Sequence, residues 1–384
     1  MAKIKFGDVV RETKEKVNRS SNPYEFYVAG DHMDTEDLTI RRKGRFATDD
    51  VGPAFFRVFH EGQVLYGSRR TYLKKIAVAD FDGVTANTTF VLETKDEQVL
   101  RQRLLPFIMY TERFTDWSVK KSRGSTNPYV LFSDLADYAF NLPSIEKQDE
   151  LAELLWSMVE AKEAYQELLR QTDELVKAQF IEMFGDPVEN PMLWETVPFL
   201  QTGSCKNGMN FSSKESGIQI ECLGVADFQQ RMVIDDSVRL STISLDKMPG
   251  GEYLLKDGDI VFVRSNGNKE LVGRSAFVTV GDKKVTFSGF CIRYRKTLDE
   301  LNHFYLLHLL RADSVRAKLR GRGANVQNLS QKTLASIDVP VPPLPLQEQF
   351  VAFARQADKV KSELVQAVKS LDNTYKKILS ENLG

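Results

Sequence analysis

Residues 339–350 read VPVPPLPLQEQF, and no proline follows this stretch up to Gly384. Proline fixes its own φ angle and disfavours helical geometry in the residue before it. The prolines at 340, 342, 343 and 345 therefore predict a short extended segment that ends where a helix can begin. Beyond them, mostly apolar residues recur at alternating intervals of three and four, at Phe350, Phe353, Ala357, Val360, Leu364, Ala367, Leu371, Thr374 and Ile378. This spacing predicts a long helix with a heptad seam.

The same arrangement of a proline and a long helical pattern occurs earlier in the chain. Pro143 precedes residues 144–184, which contain neither glycine nor proline, and Gly185 and Pro187 end the pattern. Its seam positions are again three and four residues apart, at Leu151, Leu154, Met158, Ala161, Tyr165, Leu168, Thr172 and Leu175. The sequence therefore predicts two long helices that begin in the same way.

The similarity between the two halves extends upstream of the helices. Arg123 falls on Arg322, and Gly62 falls on Gly258. The aligned segments are 121–143 with 320–342, which match without a gap, and 62–92 with 258–292. Identity between the halves is low, but the order of the predicted elements is the same. We interpret this as an internal duplication.

The duplication divides the chain into two globular units, each followed by a long helix. Both units show mixed α/β patterns with many irregular loops. The alternating runs GDIVFV (258–263), SAFVTV (275–280) and DVPV (338–341) predict strands. The segment DELNHFYLLHLLRADSVRAKL (299–319) predicts one helix.

The charges of this chain are unevenly distributed, although the net charge is only −1. Residues 146–186 contain four Lys or Arg against eleven Asp or Glu, so this segment carries −7 and the rest of the chain +6. Basic clusters on a neutral protein are compatible with contact to phosphate groups, although a single cluster is more often a solvated surface. The clusters lie at 41–45, 69–75, 120–123 and 311–322.

Basic and amide side chains near glycines are the candidates for contact with nucleic acid. Arg can donate two hydrogen bonds to guanine and Asn can pair with adenine, whereas Lys more often contacts phosphates. The candidates in the first half are Arg41, Arg42, Lys43, Arg69, Arg70, Tyr72, Lys121 and Arg123. Those in the second half are Arg264, Asn266, Asn268, Lys269, Arg274, Arg320 and Arg322. Ordinary turn residues would give the same pattern, so this alternative stays open for each of them.

No catalytic motif stands out in the sequence. The triplets Asn22–Tyr24 and Asn127–Tyr129 have one proline fewer than the signature of adenine methyltransferases, and we interpret each as a turn or the start of a strand. His303 and His308 are five residues apart, whereas two helical metal ligands are usually four apart. The phosphate-binding pattern GxxxxGK[ST] and the nucleophile pattern GxSxG are absent from the sequence. We therefore expect no catalytic site, no metal site and no cofactor.

The cysteines and the N-terminal sequence suggest a cytoplasmic protein. The three cysteines, Cys205, Cys222 and Cys291, are an odd number without CxxC spacing, which is typical of reduced thiols and not of disulfides or zinc ligands. The N-terminal sequence MAKIKFGDVV has no apolar signal core. No run of residues approaches the roughly 20 apolar residues that a membrane helix needs.

The phrases AQFIEMFGDPVENPMLW (178–194) and LASIDVPVPPLPLQEQF (334–350), together with the repeat and the two helices, resemble the specificity subunit of type I restriction-modification systems. The resemblance covers essentially the whole chain. It implies an α+β fold with two mixed α/β target recognition domains, which are related by the repeat and separated by two long antiparallel coiled-coil helices. The implied parts are target recognition domains at 1–145 and 187–343, a central spacer helix at 146–186 and a C-terminal spacer helix at 344–384.

The resemblance also implies the partners. Each domain would recognise one half of a bipartite sequence in double-stranded DNA, and the helices would dock two modification subunits that methylate adenine. A further restriction and translocation subunit would perform ATP-driven cleavage. The chain itself would be a non-catalytic, cytoplasmic subunit without a cofactor and without contact to a membrane.

Two other classes of protein stay open. A self-contained methyltransferase or nuclease would show activity as a purified chain supplied with methyl donor or metal. A coiled-coil scaffold, or another DNA-binding protein without restriction-modification partners, is the second class. The scaffold would not bind DNA in a series of salt concentrations.

Overall fold

The structure is a computed structural model that describes residues 2–212, 215–229, 231–320 and 328–384. Its contacts divide the chain into two compact units. Unit 1 comprises Met1–Glu167 and Leu364–Gly384, and unit 2 comprises Leu168–Glu363. Both long helices contribute residues to each unit.

Unit 1 consists mainly of short strands and short helices that precede the first long helix. Its strands are β1 (Ala2–Lys5), β2 (Val10–Thr13), β3 (Phe26–Val28), β4 (Gly44–Arg45), β5 (Phe55–Phe59), β6 (Val64–Gly67), β7 (Ile76–Val78), β8 (Gly83–Ala86), β9 (Thr89–Thr94) and β10 (Ala139–Leu142). Its helices are α1 (Phe6–Val9), α2 (Leu105–Tyr110), α3 (Glu112–Lys121), α4 (Phe132–Ala136), the first part of α5 (Ile145–Phe184) and the last part of the C-terminal long helix. The strands form two four-stranded sheets, in the orders β2-β9-β6-β7 and β4-β3-β8-β5, and the ribbon β1-β10.

Unit 2 contains the rest of α5 and a second set of the same kinds of element. Its strands are β11 (Thr196–Pro198), β12 (Gly203–Asn207), β13 (Ile218–Leu223), β14 (Val233–Ile234), β15 (Ser241–Leu245), β16 (Ile260–Val263), β17 (Ser275–Val278), β18 (Val285–Phe287), β19 (Cys291–Lys296) and β20 (Asp338–Pro340). Its helices are α6 (His303–Arg311), α7 (Asp313–Arg320), α8 (Gln331–Ala335) and the first part of α9 (Leu344–Asn382). The sheets are β12-β19-β16-β17-β14, β15-β13-β18 and the ribbon β11-β20.

The internal duplication is confirmed by the topology of the sheets. The order β2-β9-β6-β7 in unit 1 recurs as β12-β19-β16-β17 in unit 2, and β4-β3-β8 recurs as β15-β13-β18. The pairs β3/β8 and β13/β18 are both parallel. Gly62 and Gly258 both adopt positive φ angles, 83° and 90°, two residues before β6 and β16. The glycine match is thus explained by a left-handed turn that glycine tolerates without steric cost.

The proline-rich stretch has the predicted extended and helical parts. Pro340 ends β20, which pairs with β11, and the N–H of Val341 donates to the carbonyl of Glu195 at 2.8 Å. Helix α9 then begins at Leu344, so Pro345 lies in the first turn, where its missing N–H costs no helical hydrogen bond. The strands predicted at GDIVFV, SAFVTV and DVPV are confirmed as β16, β17 and β20.

The prediction of a single helix over 299–319 is wrong, because this segment forms two helices, α6 and α7. Ala312 between them is extended, with φ −57° and ψ 142°. In unit 1, Thr111 separates α2 from α3 in the same way, with φ −62° and ψ 144°. The break lets Leu309 on α6 and Val315 on α7 both reach the same apolar core, which one straight helix would not allow.

The two long helices contact each other in both units, and the order of their contacts in unit 2 is antiparallel. In unit 1, Lys162 of α5 forms an ion pair with Asp372 of α9 at 2.8 Å. In unit 2, Asp173 of α5 pairs with Lys361 at 2.6 Å, and Phe184 lies 5.6 Å from Phe350, measured between ring centres. Residues nearer the end of α5 therefore contact residues nearer the start of α9.

The predicted seam of α5 is wrong at several positions. Leu154, Leu168 and Leu175 are exposed, whereas Leu155 and Phe180 are buried. The predicted positions Leu151 and Met158 are confirmed as buried. In the seam predicted for α9, Phe350 and Ala357 are confirmed as buried, whereas Val360 is exposed. The physical reason is that the helices pack against the cores of the globular units as well as against each other. In each unit, the buried face of a long helix is therefore the one that packs against the core of that unit.

Candidate DNA interface

The candidate interface lies where β6 and β16 end, because both strands continue into an equivalent hydrogen-bonded frame. In unit 1, the N–H of Ser68 donates to the carbonyl of Thr88 at 2.9 Å, and its carbonyl accepts from Val130 at 3.0 Å. In unit 2, the N–H of Arg264 donates to the carbonyl of Phe290 at 2.7 Å, and its carbonyl accepts from Leu329 at 2.7 Å. We call these two arrangements the frames of unit 1 and unit 2. Arg264 therefore occupies the place of Ser68.

The frame of unit 1 brings two predicted loops together. The N–H of Arg70 donates to the carbonyl of Pro128 at 2.7 Å, and Arg69 forms a β-bridge with Tyr129. Arg123 and Tyr129 exchange backbone hydrogen bonds of 2.8 and 3.0 Å, which close a turn over the second NPY triplet. The triplet thus runs from a bend at Asn127 to a β-bridge at Tyr129, in agreement with the interpretation as a turn or the start of a strand. Three basic residues, Arg69, Arg70 and Arg123, emerge from this pair of loops.

Exposed aromatic rings accompany these basic residues. The side chain of Tyr72 is 54% exposed and that of Tyr129 is 40% exposed. Arg123 donates to both carboxylate oxygens of Asp134 at 3.0 Å, and the ammonium of Lys121 lies 4.9 Å from the centre of the Trp117 ring. These contacts hold the two basic side chains on the surface of α3 and α4. The loops thus present cations and aromatic rings on the same edge of unit 1.

The candidates Arg41, Arg42 and Lys43 lie in a different segment and have contacts within unit 1. Arg41 donates to Asp37 at 2.6 Å and to Glu163 of α5 at 3.1 Å, and these hydrogen bonds raise its pKa, with Asp37 as the larger cause. Arg42 forms an ion pair with Asp34. The ammonium of Lys43 lies 4.1 Å from the centres of two phenylalanine rings, Phe26 and Phe81. The structure does not bring these three residues into the frame.

The frame of unit 2 carries most of the candidates of the second half. Arg264 donates through Nη1 to the carbonyl of Gly289 at 3.2 Å. The side-chain oxygens of Asn266 and Asn268 accept from backbone N–H groups two residues later, at 2.8 and 3.0 Å, which leaves their amide NH₂ groups as donors. Lys269 is exposed in the same loop.

The remaining candidates of the second half flank this loop. Arg274 donates to the carbonyl of Gln229, and Arg320 pairs with Glu270 at 3.0 Å. Arg322 lies outside the described residues. The loop between β16 and β17 is therefore tied to α7 by the contact between Arg320 and Glu270.

Three other residues of the basic clusters have contacts inside their units, and of these Lys74 and Arg316 are buried while Arg311 is half-buried. Lys74 donates to Glu112 at 2.5 Å. Arg311 donates to the carbonyl of Ser275 at 3.1 Å. Arg316 donates to the carbonyls of Val272 and Glu270, both at 3.1 Å, and burial, together with neighbouring arginines, lowers its pKa to about 10. Arg316 thereby supports the candidate loop of unit 2 from the inside.

Two segments of the chain, 8–170 and 204–371, match the model of the family described as type I restriction modification DNA specificity domain. The chain belongs to this family. Each matched segment contains one of the two frames, so the frames are equivalent parts of two specificity domains.

Similar proteins include two curated specificity subunits. The type I restriction enzyme EcoEI specificity subunit of Escherichia coli is 30% identical over 134 residues, which are 33% of this chain and 22% of that protein. The StySPI specificity subunit of Salmonella potsdam is 24% identical over 264 residues, 62% of this chain and 56% of that protein. The alignments thus span about half or less of the length of these relatives.

A solved structure shows the same fold. This chain aligns over its whole length with 97% of a chain from a study of complex assembly and conformational transition of the type I R-M system, with a TM-score of 0.61 and 19% identity. Together with the two matched domains, this confirms the predicted α+β fold class with two mixed units and long helices.

Sequence analysis of this specificity protein missed several exposed aromatic residues. Phe290 is 60% exposed next to Arg264, and Phe211 and Tyr129 are also exposed. The phrase FSGFC around Phe290 contains a glycine turn, which could have indicated a presented side chain. Its exposure could not be predicted, because aromatic residues in such phrases are usually part of a strand.

The described residues contain no group of three or more His, Cys, Asp or Glu that could hold a metal ion. Burial raises the pKa of the Cys205 and Cys222 thiols to about 12 and also raises that of Cys291. The thiols are therefore protonated at neutral pH and are poor nucleophiles. In the part of the chain that the structure describes, no helix is long and apolar enough to cross a membrane.

Proposed function

We propose that this chain is the DNA-recognition subunit of a type I restriction-modification complex and that it recognises a bipartite target. The observation that carries the proposal is the pair of equivalent frames that present different side chains. The frame of unit 1 has Ser68 and Thr88 where the frame of unit 2 has Arg264 and Phe290. A protein that recognises two different half-sites with duplicated domains needs one scaffold with different contact residues. The family match supports this function.

The domain assignment follows from this proposal. Residues 1–145 and 187–343 are the two target recognition domains, and residues 146–186 and 344–384 are spacer helices. The helix α5 has 40 residues and α9 has 39, so each is long enough to act as a spacer element. The helices set the gap between the half-sites and dock two modification subunits, which methylate adenine. The exposed leucines of α5, Leu154, Leu168 and Leu175, support a role of this helix in binding a partner.

The candidate residues take different roles in this proposal. Arg69, Arg70 and Arg264 lie at or directly after the frames and are the candidates for hydrogen bonds with guanine. The amide NH₂ groups of Asn266 and Asn268 are the candidate donors to bases. Tyr72 contributes an exposed ring. The cations that contact phosphates and orient the domains are Arg41, Arg42, Lys43, Lys121, Arg123, Lys269, Arg274, Arg320 and Arg322.

The chain has no catalytic role in this proposal. The modification subunits supply methyl transfer, and a restriction and translocation subunit supplies cleavage. Purified chain alone should therefore neither methylate nor cut DNA. Methyl transfer by highly purified chain, supplied with a methyl donor, would contradict the proposal.

Selection from a library of random-sequence DNA duplexes tests the recognition function. The full chain, alone and mixed with a type I modification subunit, is expected to enrich two constant blocks of sequence separated by a fixed gap. Enrichment of one block, or of none, would refute bipartite recognition. The salt dependence of binding then separates phosphate contacts from base contacts.

Single substitutions assign the blocks to the units. Arg264→Ala should reduce discrimination in one block only, by about 1–3 kcal/mol for a lost bidentate contact with a base. Arg69→Ala should affect only the other block. Arg239→Ala is a matched control, because Arg239 is an exposed arginine of unit 2 outside the frame. Equal effects of Arg264→Ala and Arg239→Ala would return Arg264 to the role of an ordinary turn residue.

A further inference from the structure

Phe290 combines a rigid backbone with an exposed ring. Its carbonyl accepts from the N–H groups of Arg264 at 2.7 Å and Ser265 at 3.3 Å. Its own N–H donates to the side-chain oxygen of Ser288 at 3.3 Å. The side chain nevertheless exposes 60% of its surface. A large aromatic side chain at a fixed position on the surface can serve as an anchor that a binding partner covers.

The turn that carries Phe290 is fixed on its other side as well. The N–H of Gly289 donates to the carbonyl of Met209 at 2.8 Å. A Cβ atom on Gly289 would lie 2.1 Å from the side-chain oxygen of Asn210, so the Asn210 side chain would have to move if this glycine were replaced. Gly208 packs equally closely, because a Cβ there would lie 2.0 Å from the carbonyl oxygen of Ser288. The position of the ring is therefore set by two neighbouring segments before any partner binds.

Cationic and apolar side chains both occur in the segments that hold this turn. The guanidinium of Arg264 donates to the carbonyl of Gly289 in the same turn, and Phe211, two residues after Met209, is also exposed. DNA offers a matching combination, since its phosphates are anionic while base faces and the thymine methyl group are apolar. A rigid aromatic ring loses little conformational entropy when it binds.

The equivalent position of the other unit differs in chemistry. The frame of unit 1 has Thr88 in the place of Phe290, and the exposed rings there belong to Tyr72 and Tyr129 on other loops. The backbone of the frame is thus the same in both units while this side chain changes. Positions with this property are the ones that can distinguish two half-sites.

We propose that Phe290 is a specificity-determining residue, whose ring makes an apolar contact with a base of the half-site recognised by unit 2. The apolar surface is either the methyl group of a thymine or the face of a base at an opened step. This inference rests on the proposed function, since it requires that unit 2 binds DNA.

Selection from the random duplex library with full-length Phe290→Ala tests the inference. In the block that Arg264→Ala identifies as that of unit 2, discrimination at one or two neighbouring positions should fall roughly five- to fifty-fold. The other block should not change. Phe290→Leu, which keeps an apolar side chain, should lose less of this discrimination between bases. It also replaces Phe290→Ala as the test variant if the alanine variant does not fold. Leu193→Ala is the control, because Leu193 is an 87% exposed apolar residue of unit 2 outside the frame.

Two results would overturn the inference while leaving the proposed function intact. One is an unchanged pair of blocks for Phe290→Ala, and the other is an equal weakening of both blocks. If the wild-type chain enriches no block, the proposed function fails, and this inference fails with it. Where the contact exists, replacing thymine by deoxyuridine at the affected position distinguishes its source. Loss of binding identifies the methyl group, and unchanged binding identifies the base face.

Discussion

Replacing Gln347 by leucine should destabilise unit 2 specifically. Gln347 is fully buried at the start of α9. Its Nε2 group donates to the carbonyls of Glu300 at 2.9 Å and Pro342 at 2.7 Å, and its Oε1 atom accepts from the N–H of Asn302 at 2.8 Å. Leucine has a similar size but can make none of these hydrogen bonds. The substitution therefore leaves the buried carbonyl of Pro342, and the partly buried carbonyl of Glu300 and N–H of Asn302, without their partner.

The expected loss follows from the number of unpaired groups. A buried polar group that loses its partner costs about 1–3 kcal/mol. The N–H of Asn302 and the carbonyl of Glu300 are only partly buried, and the apolar leucine regains part of the loss. We therefore expect the free energy of unfolding of unit 2 to fall by about 3 kcal/mol, near the lower end for three groups.

Hydrogen exchange measured by mass spectrometry can assign this loss to one unit. Peptides from β16, β19 and α6 should lose protection in Gln347→Leu, while peptides from β6 and β9 should not. Gln349→Leu is a matched control, since Gln349 is exposed on the same helix, and it should change stability by no more than about 0.5 kcal/mol.

Unit 1 provides the reciprocal experiment. Gln148 is buried at the start of α5, where it donates to the carbonyls of Val99 and Pro143 and accepts from the N–H of Arg101, all at 3.0 Å. Gln148→Leu should destabilise unit 1 and leave unit 2 protected. If Gln347→Leu is no less stable than Gln349→Leu, the buried hydrogen bonds do not determine the stability of this junction.

Two further predictions concern pH and the length of α5. Burial, with smaller contributions from Arg311 and Lys361, lowers the pKa of His308 to about 3, although its ring keeps some solvent exposure beside Phe350. An unfolded histidine has a pKa of about 6.5, so below that pH the unfolded chain binds the proton preferentially, and the free energy of unfolding should fall by at most about 1.4 kcal/mol for each unit by which the pH is lowered. Urea unfolding of unit 2 between pH 7 and 5 should show that the free energy of unfolding depends less steeply on pH in His308→Leu than in the wild type. An equal dependence on pH in both proteins would contradict this assignment. Inserting four helical residues after Thr172 should lengthen α5 by about 6 Å. In the selection from random duplexes, the gap between the two enriched blocks should then widen by one or two base pairs of about 3.4 Å each. An unchanged gap in a folded, active variant would show that the helix is not the spacer.

The sequence was most informative where the backbone itself requires a residue type. The glycine matches and the prolines before the helices predicted the duplication and the start of α9, because φ angles restrict those positions locally. Side-chain burial on the helices was less predictable. Leu168 is exposed and Phe180 is buried, because the core of unit 2, and not the helix spacing, decides which face is covered.

The candidate site shows the same limit. The two basic loops could be located from their glycines and arginines, and the frames place both loops at the ends of equivalent strands. The sequence could not separate Arg264, which leaves the frame, from Arg316, which is buried beneath the loop. Both are arginines in basic clusters, and only tertiary packing distinguishes a side chain that supports a loop from one that the loop presents.

The buried glutamines explain why the proline-rich stretch is followed by glutamine. Proline has no N–H, yet its carbonyl still needs a hydrogen-bond partner when it is buried before a helix. Gln347 supplies that partner to Pro342 and, with the same amide group, joins the helix to the loop at Glu300 and Asn302. A proline followed five residues later by glutamine also occurs at Pro143 and Gln148, where the contacts are the same. The prolines thus fix the direction of the chain into each long helix, and the glutamine attaches the helix to its globular unit. Because the glutamine binds the carbonyl of the proline, a change at either residue alters both the direction of the chain and the attachment of the helix.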